Sequence, residues 1–206
     1  MPTATCKIKE NICINMLLSL VTERTVLSLP SPAPRKASHT RQVTYNGFRR
    51  DDGLWDIEAH LRDTKPEPFE VPGEKQWLPN EPIHDMSIRL TVDTQLVIRD
   101  IAVAMHSVPH EDCPNAAPPM QKMIGCTLGA GWRRAIEDNL GNAKGCTHLR
   151  ELLFNMATAA FQTISGSFAV TSLDSPPPHL GRCMSWRFDS ALVERRYPMF
   201  FNWPKK

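Results

Sequence analysis

The sequence predicts an α+β fold: an antiparallel meander of three to four strands, followed by helices packed on one face of the sheet. Three observations predict it. Apolar residues alternate with period two between residues 41 and 105, and a short loop joins two such stretches into a hairpin. After Pro109 the apolar spacing becomes helical, and strands followed by helices define the α+β class.

The elements follow in order. "RQVTYNGF" (41–48) alternates like a strand, and "GLWDIEAHLRD" (53–63) does so more strongly. In the latter, Trp55, Ile57 and Leu61 share one face while Asp56, Glu58, His60 and Arg62 share the other. A loop punctuated by Pro66, Pro68, Pro72, Gly73, Pro79 and Pro82 comes next. "IHDMSIRLTVD" (83–93) then places Met86, Ile88, Leu90 and Val92 on one side, Thr94-Gln95 reverses the chain, and "LVIRDIAVAM" (96–105) returns. Short helices are expected over 117–128 and 131–141, the second ended by Gly141. From Cys146 to about Ile164 the residues Leu149, Leu152, Leu153, Met156, Ala160, Phe161 and Ile164 form one apolar helical stripe.

The prolines of "PSPAPRK" (30–36) cannot continue a helix or a ladder. Residues 1–38 are therefore expected to be a flexible tail or the product of a misplaced start. Residues 39–206 are expected to form a single α+β domain, with 175–206 as its Pro-rich connection and C-terminal segment.

Composition narrows the functional classes. A chain of 206 residues can bury a sizeable core. With 24 basic against 22 acidic residues the net charge is +2, too balanced to imply nucleic acid or an anionic membrane; it names no partner and leaves a protein partner open. No apolar run reaches the roughly 18 residues a membrane span needs. The six cysteines follow no secretory leader, so a reducing, cytoplasmic location and free or metal-ligating thiols are expected. Gly-x-Ser-x-Gly, phosphate-loop and dinucleotide patterns are absent, which removes the usual anchors for hydrolase, kinase or dehydrogenase chemistry.

The remaining chemistry centres on "GCTHLRELL" (145–153). Cys146 stands at the entrance of the strongest helix, where unpaired amides favour negative charge, and His148 is two residues away. The same Gly-Cys-Thr stretch also suffices as a plain helix cap. "PHEDCP" (109–114) puts Cys113 in the turn between the last strand and the first helix, beside His110 and Asp112. "HLGRCMSW" adds Cys183, four residues after His179. Cys113, Cys146, His148 and Cys183 would form a tetrahedral set for zinc or an iron–sulfur unit, although their spacings match no standard finger. Cys126, inside "MIGCTL", reads as a small core residue, and Cys6 and Cys13 receive no role.

Two further readings stand beside a metal-binding or thiol-reactive accessory factor. One is an enzyme acting on a small organic acid or thioester in a cleft between loop 64–82 and the sheet, with Asp56, Glu58, His84 or Asp85 as acid and base. The other is a structural or binding module whose cysteines only pack. Against the first, a wet sheet face commonly pairs such charges across strands, and Arg89, Thr91 and Asp93 are placed to do so.

At "RRDDGLWDIEAHLRDTKP" (49–66), "EPIHDMSIRLTVD" (81–93), the Cys113–Pro118 stretch, Gly131-Trp132 and "GCTHLRELL", the chain closely resembles a bacterial family catalogued as domain of unknown function 2889. That resemblance spans about 32–200 and implies that Cys113, Cys146, His148 and the Cys183 region belong to the family signature. It implies no particular activity. The succession of strands, a cysteine turn, helices and a cysteine at the start of a long helix is also similar to iron–sulfur scaffold proteins of the NifU type. This sequence lacks their first cysteine, with "NEPIHD" in its place.

Overall fold

The computed structural model describes residues 29–164 and 175–204. The expectations for residues 1–28 lie outside the described residues, and the chain divides between Ala37 and Ser38. Residues 29–37 are exposed and carry no helix or strand.

Four antiparallel strands form the sheet in the order β1 (Thr40–Arg49), β2 (Trp55–Thr64), β5 (Pro82–Val92) and β6 (Ile98–Ser107). A two-stranded ribbon, β3 (Phe69–Glu70) and β4 (Gln76–Trp77), interrupts the path from β2 to β5. Helix α1 (Trp132–Leu140) and helix α2 (Thr147–Ile164) follow, and a short α3 (Ala191–Arg196) lies in the C-terminal segment. The meander, α1 and α2 are those the apolar periods predict.

Period two puts Ile57, Ala59 and Leu61 of β2, with Met86, Ile88, Leu90 and Val92 of β5, on one buried face. The α2 stripe of Leu149, Leu152, Leu153, Met156, Ala160 and Ile164 covers that face, with Trp132, Ile136 and Leu140 from α1 completing the core. The Trp132 indole N–H donates to the Leu153 carbonyl, 2.9 Å away, and ties the two helices together. Cys126 packs at the edge of this cluster. The opposite face is wet. There Arg89 pairs with Glu58 at 2.7 Å, Thr91 donates to Asp56 at 2.6 Å, and His60 meets Asp85 at 2.9 Å.

The helix expected over 117–128 is replaced by two 3₁₀ turns, Cys113–Ala116 and Pro118–Met123. The backbone of 125–128 is used elsewhere. Gly125 has φ 85°, its N–H donates to the Ile98 carbonyl, and Leu128 donates to Leu96. This stretch is therefore pulled against the start of β6, and its amides cannot also serve a helix.

Two glycines set the position of α2. A Cβ at Gly47 of β1 would fall on the Thr163 side chain, so the helix can lie this close to the strand only over a glycine. A Cβ at Gly145 would come within 2.9 Å of the Leu140 carbonyl, so glycine lets the α2 entrance abut the end of α1. The Cys146 carbonyl then accepts the Arg150 N–H at 3.0 Å, which makes Cys146 the residue that opens the helix. The C-terminal segment has its own small core of Leu180, Val193 and Phe200.

Candidate metal centre

The centre is built at the end of the sheet where β2 finishes and β5 begins. Asp63 has the same parity as Ile57, Ala59 and Leu61, so its carboxylate enters the buried side and is only 2% exposed. His84 has the parity of Met86 and Ile88 and is the register partner of Asp63. Pairing shifts between Asp63 and Thr64 on one ladder and between Asp85 and Met86 on the next, and such irregularities re-aim side chains. His148, one residue into α2, completes the group from above the sheet.

The distances are short. Nδ1 of His84 lies 3.1 Å from Oδ2 of Asp63, and Nε2 of His148 lies 4.0 Å from the same oxygen. The two imidazoles overlap with centroids 3.9 Å apart and planes inclined by 37°. One donor atom from each of Asp63, His84 and His148 lies within 4.8 Å of the others, a spacing that can hold a metal ion, and among the described residues this is the group with that property.

Basic residues from β1 and the segment before it surround the carboxylate. Arg41 grips Asp63 with two parallel bonds, Nε to Oδ1 at 2.8 Å and Nη2 to Oδ2 at 2.7 Å, and its Nη1 bonds to Glu151 of α2. His39 Nε2 lies 3.0 Å from Oδ1. Burial pushes the Asp63 carboxyl up, but the Arg41 hydrogen bonds and charge, with His84 and His39, outweigh burial and hold it below the usual carboxylate range. Burial lowers His84 to about 4, assisted by the neighbouring His148. His148 is lowered by burial and by the Arg41 charge, against the pull of Asp63. At neutral pH the group is therefore one carboxylate and two uncharged imidazoles, the protonation state in which these side chains ligate metals.

The structure places the residues singled out from sequence as follows. His148 is in the cluster, and Cys146 adjoins it, with Sγ 3.7 Å from His148 Nδ1. Cys113 lies in the first 3₁₀ turn, and burial raises its thiol pKa. The ribbon reaches the same loop, since Glu74 pairs with His110 at 2.5 Å. Cys183 is exposed in the C-terminal segment and is not part of the three-residue group. Asp56, Glu58 and Asp85 point to the wet face and are bonded there to Thr91, Arg89 and His60. His84 alone of that set faces the centre. Asp63, Arg41, His39 and Glu151 were not anticipated. For Asp63 a signal existed, an ionisable residue on the apolar parity of a strand, but Arg41 and Glu151 are 110 positions apart and only the fold joins them.

A sheet half covered by helices, with a carboxylate and two histidines at its end, defines an α+β protein with a potential metal-ligand cluster. The chain belongs to the family described as protein of unknown function (DUF2889), whose model matches residues 39–162, more than half of its length. The matched segment contains Arg41, Asp63, His84, Cys113, Cys146 and His148 and ends before Cys183. No curated protein and no solved structure matches the chain, so the likeness to NifU-type scaffolds gains no support from these comparisons. Among the described residues no helix is long and apolar enough to cross a membrane.

Proposed function

We propose that the protein binds a divalent first-row transition metal, zinc foremost, through Asp63, His84 and His148, and acts as a metal-dependent accessory protein. The observation that carries this reading is the convergence of three donors from β2, β5 and α2 within 4.8 Å. Oxygen and nitrogen donors suit zinc, whereas an iron–sulfur cluster is held mainly by thiolates. Arg41 does not compete for the whole carboxylate, because each oxygen has a second lone pair. It serves as the outer partner that orients the ligand. In the metal-free protein His84 Nδ1 can donate the single proton of its neutral ring to Asp63; a metal ion bound at Nδ1 would take that place, with the ring's one proton then on Nε2.

Three protein ligands leave a coordination position for water or a small anion, the pattern of catalytic rather than purely structural zinc. A second reading, thiol chemistry at Cys146 with His148 as its base, is favoured by the 3.7 Å contact between them. Equilibrium dialysis against zinc, for wild type beside His84→Ala and Asp63→Asn, tests the metal reading. About one zinc per chain in wild type and a loss of at least tenfold in affinity in both variants supports it. Equal binding by all three removes the cluster as the site.

A further inference from the structure

We infer that Cys146 is the positioning residue of the metal centre: its sulfur accepts the Nδ1 proton of His148 and so presents Nε2 to the metal. The inference rests on the metal reading and goes beyond it, because it assigns Cys146 to the outer shell instead of the ligand set.

The two nitrogens of the His148 ring face different neighbours. Nε2 points to the Asp63 carboxylate, 4.0 Å away, and Nδ1 points to Cys146 Sγ, 3.7 Å away. An imidazole has its nitrogens on diverging sides, and a neutral ring carries its proton on one of them. A sulfur accepting from Nδ1 selects the tautomer whose Nε2 lone pair is free, which is the one aimed at Asp63 and His84. Histidine ligands regularly have such a partner, most often a carboxylate or a carbonyl, and here the residue in that place is a thiol.

The same geometry argues against direct ligation. A zinc–sulfur bond is about 2.3 Å long, and an ion held by Nε2 is separated from this sulfur by the width of the ring. The backbone that carries Cys146 is held in place. Its carbonyl is engaged by Arg150, and Gly145 before it is packed against Leu140. The overlap with His84 holds the plane of the His148 ring but does not choose its protonated nitrogen. That choice falls to Cys146.

Cobalt(II) titration of the full chain, followed by absorption, tests this with wild type, Cys146→Ser, Cys146→Ala and His84→Ala. The expected result has four parts. Wild type binds one Co(II) with visible ligand-field bands and without an intense near-ultraviolet thiolate-to-cobalt band. Cys146→Ser, whose hydroxyl still accepts the proton, stays within about threefold of wild type, and Cys146→Ala weakens binding about 10- to 100-fold. His84→Ala abolishes the signal. A strong charge-transfer band in wild type that disappears in Cys146→Ser overturns the inference, because Cys146 is then a ligand. Wild-type affinity in Cys146→Ala, with its circular dichroism unchanged, overturns it as well. Failure of wild type to bind Co(II), or undiminished binding by His84→Ala, defeats the metal reading itself, and this inference with it.

Discussion

Asp63 and His84 are direct register partners on β2 and β5, with Nδ1 of His84 3.1 Å from Oδ2 of Asp63 on the buried side of the sheet. A carboxylate on an apolar strand face has to be held by something. Here Arg41 holds both oxygens, and two histidines lie against one of them.

Removing that carboxylate's charge has a measurable cost. Asp63→Asn leaves Arg41 without its two charge-assisted bonds, and a pair with one member buried and the other a third exposed falls between surface and buried ion pairs, at about 1–3 kcal/mol. Urea denaturation at neutral pH should show this loss. Arg41→Ala should show a comparable one, and the double variant less than their sum.

Acid should weaken the metal-free fold early. His84 titrates near 4 in the folded protein against 6.5 as a free side chain, so the unfolded chain binds its proton more tightly. Stability is therefore complete above about pH 6.5, falls as pH drops toward 4, and from this group falls no further below that. The upper bound is about 3 kcal/mol. Asp63, also lowered, adds a second loss as pH falls below the ordinary carboxyl value of 3.8. Melting temperatures from pH 8 to 3 should follow this course, and His84→Gln should lessen the upper part only, leaving there the share of His148, which is lowered as well.

The approach of α2 to β1 depends on Gly47. Gly47→Ala puts a methyl group onto Thr163, whose hydroxyl is bonded to the Ala159 carbonyl at 2.8 Å. Overpacking of this kind costs about 1–3 kcal/mol. Thr163→Ala should recover part of it, and a double-mutant cycle in urea would detect the coupling.

Zinc should stabilise the protein by mass action. At free zinc about 100 times the dissociation constant, the gain is about 2.7 kcal/mol. Thermal melts should rise with zinc in wild type and stay level in His148→Ala.

The periodicities made most of the fold legible. Period two placed the four main strands, and the i, i+3, i+4, i+7 stripe placed α2 with its buried residues. The ribbon at 69–77 was hidden among prolines, and the helix expected at 117–128 failed because Gly125, Cys126 and Leu128 exchange backbone bonds with the start of β6. Within the site, the sequence pointed to "GCTHLRELL" because a helix entrance is a local property. His84 and Asp63 are also local in parity, each an ionisable residue in phase with an apolar face. Their meeting with His148 depends on how α2 crosses the sheet, which no local pattern states.

Whether Asp63, His84 and His148 together hold one metal ion can be seen by diffraction from crystals of the zinc-loaded protein at the zinc absorption edge. One anomalous peak is expected, about 2.0–2.2 Å from one donor atom of each of the three residues. A fully zinc-loaded protein whose peak lies at Cys113 and Cys183, or at no position shared by these three side chains, would contradict it.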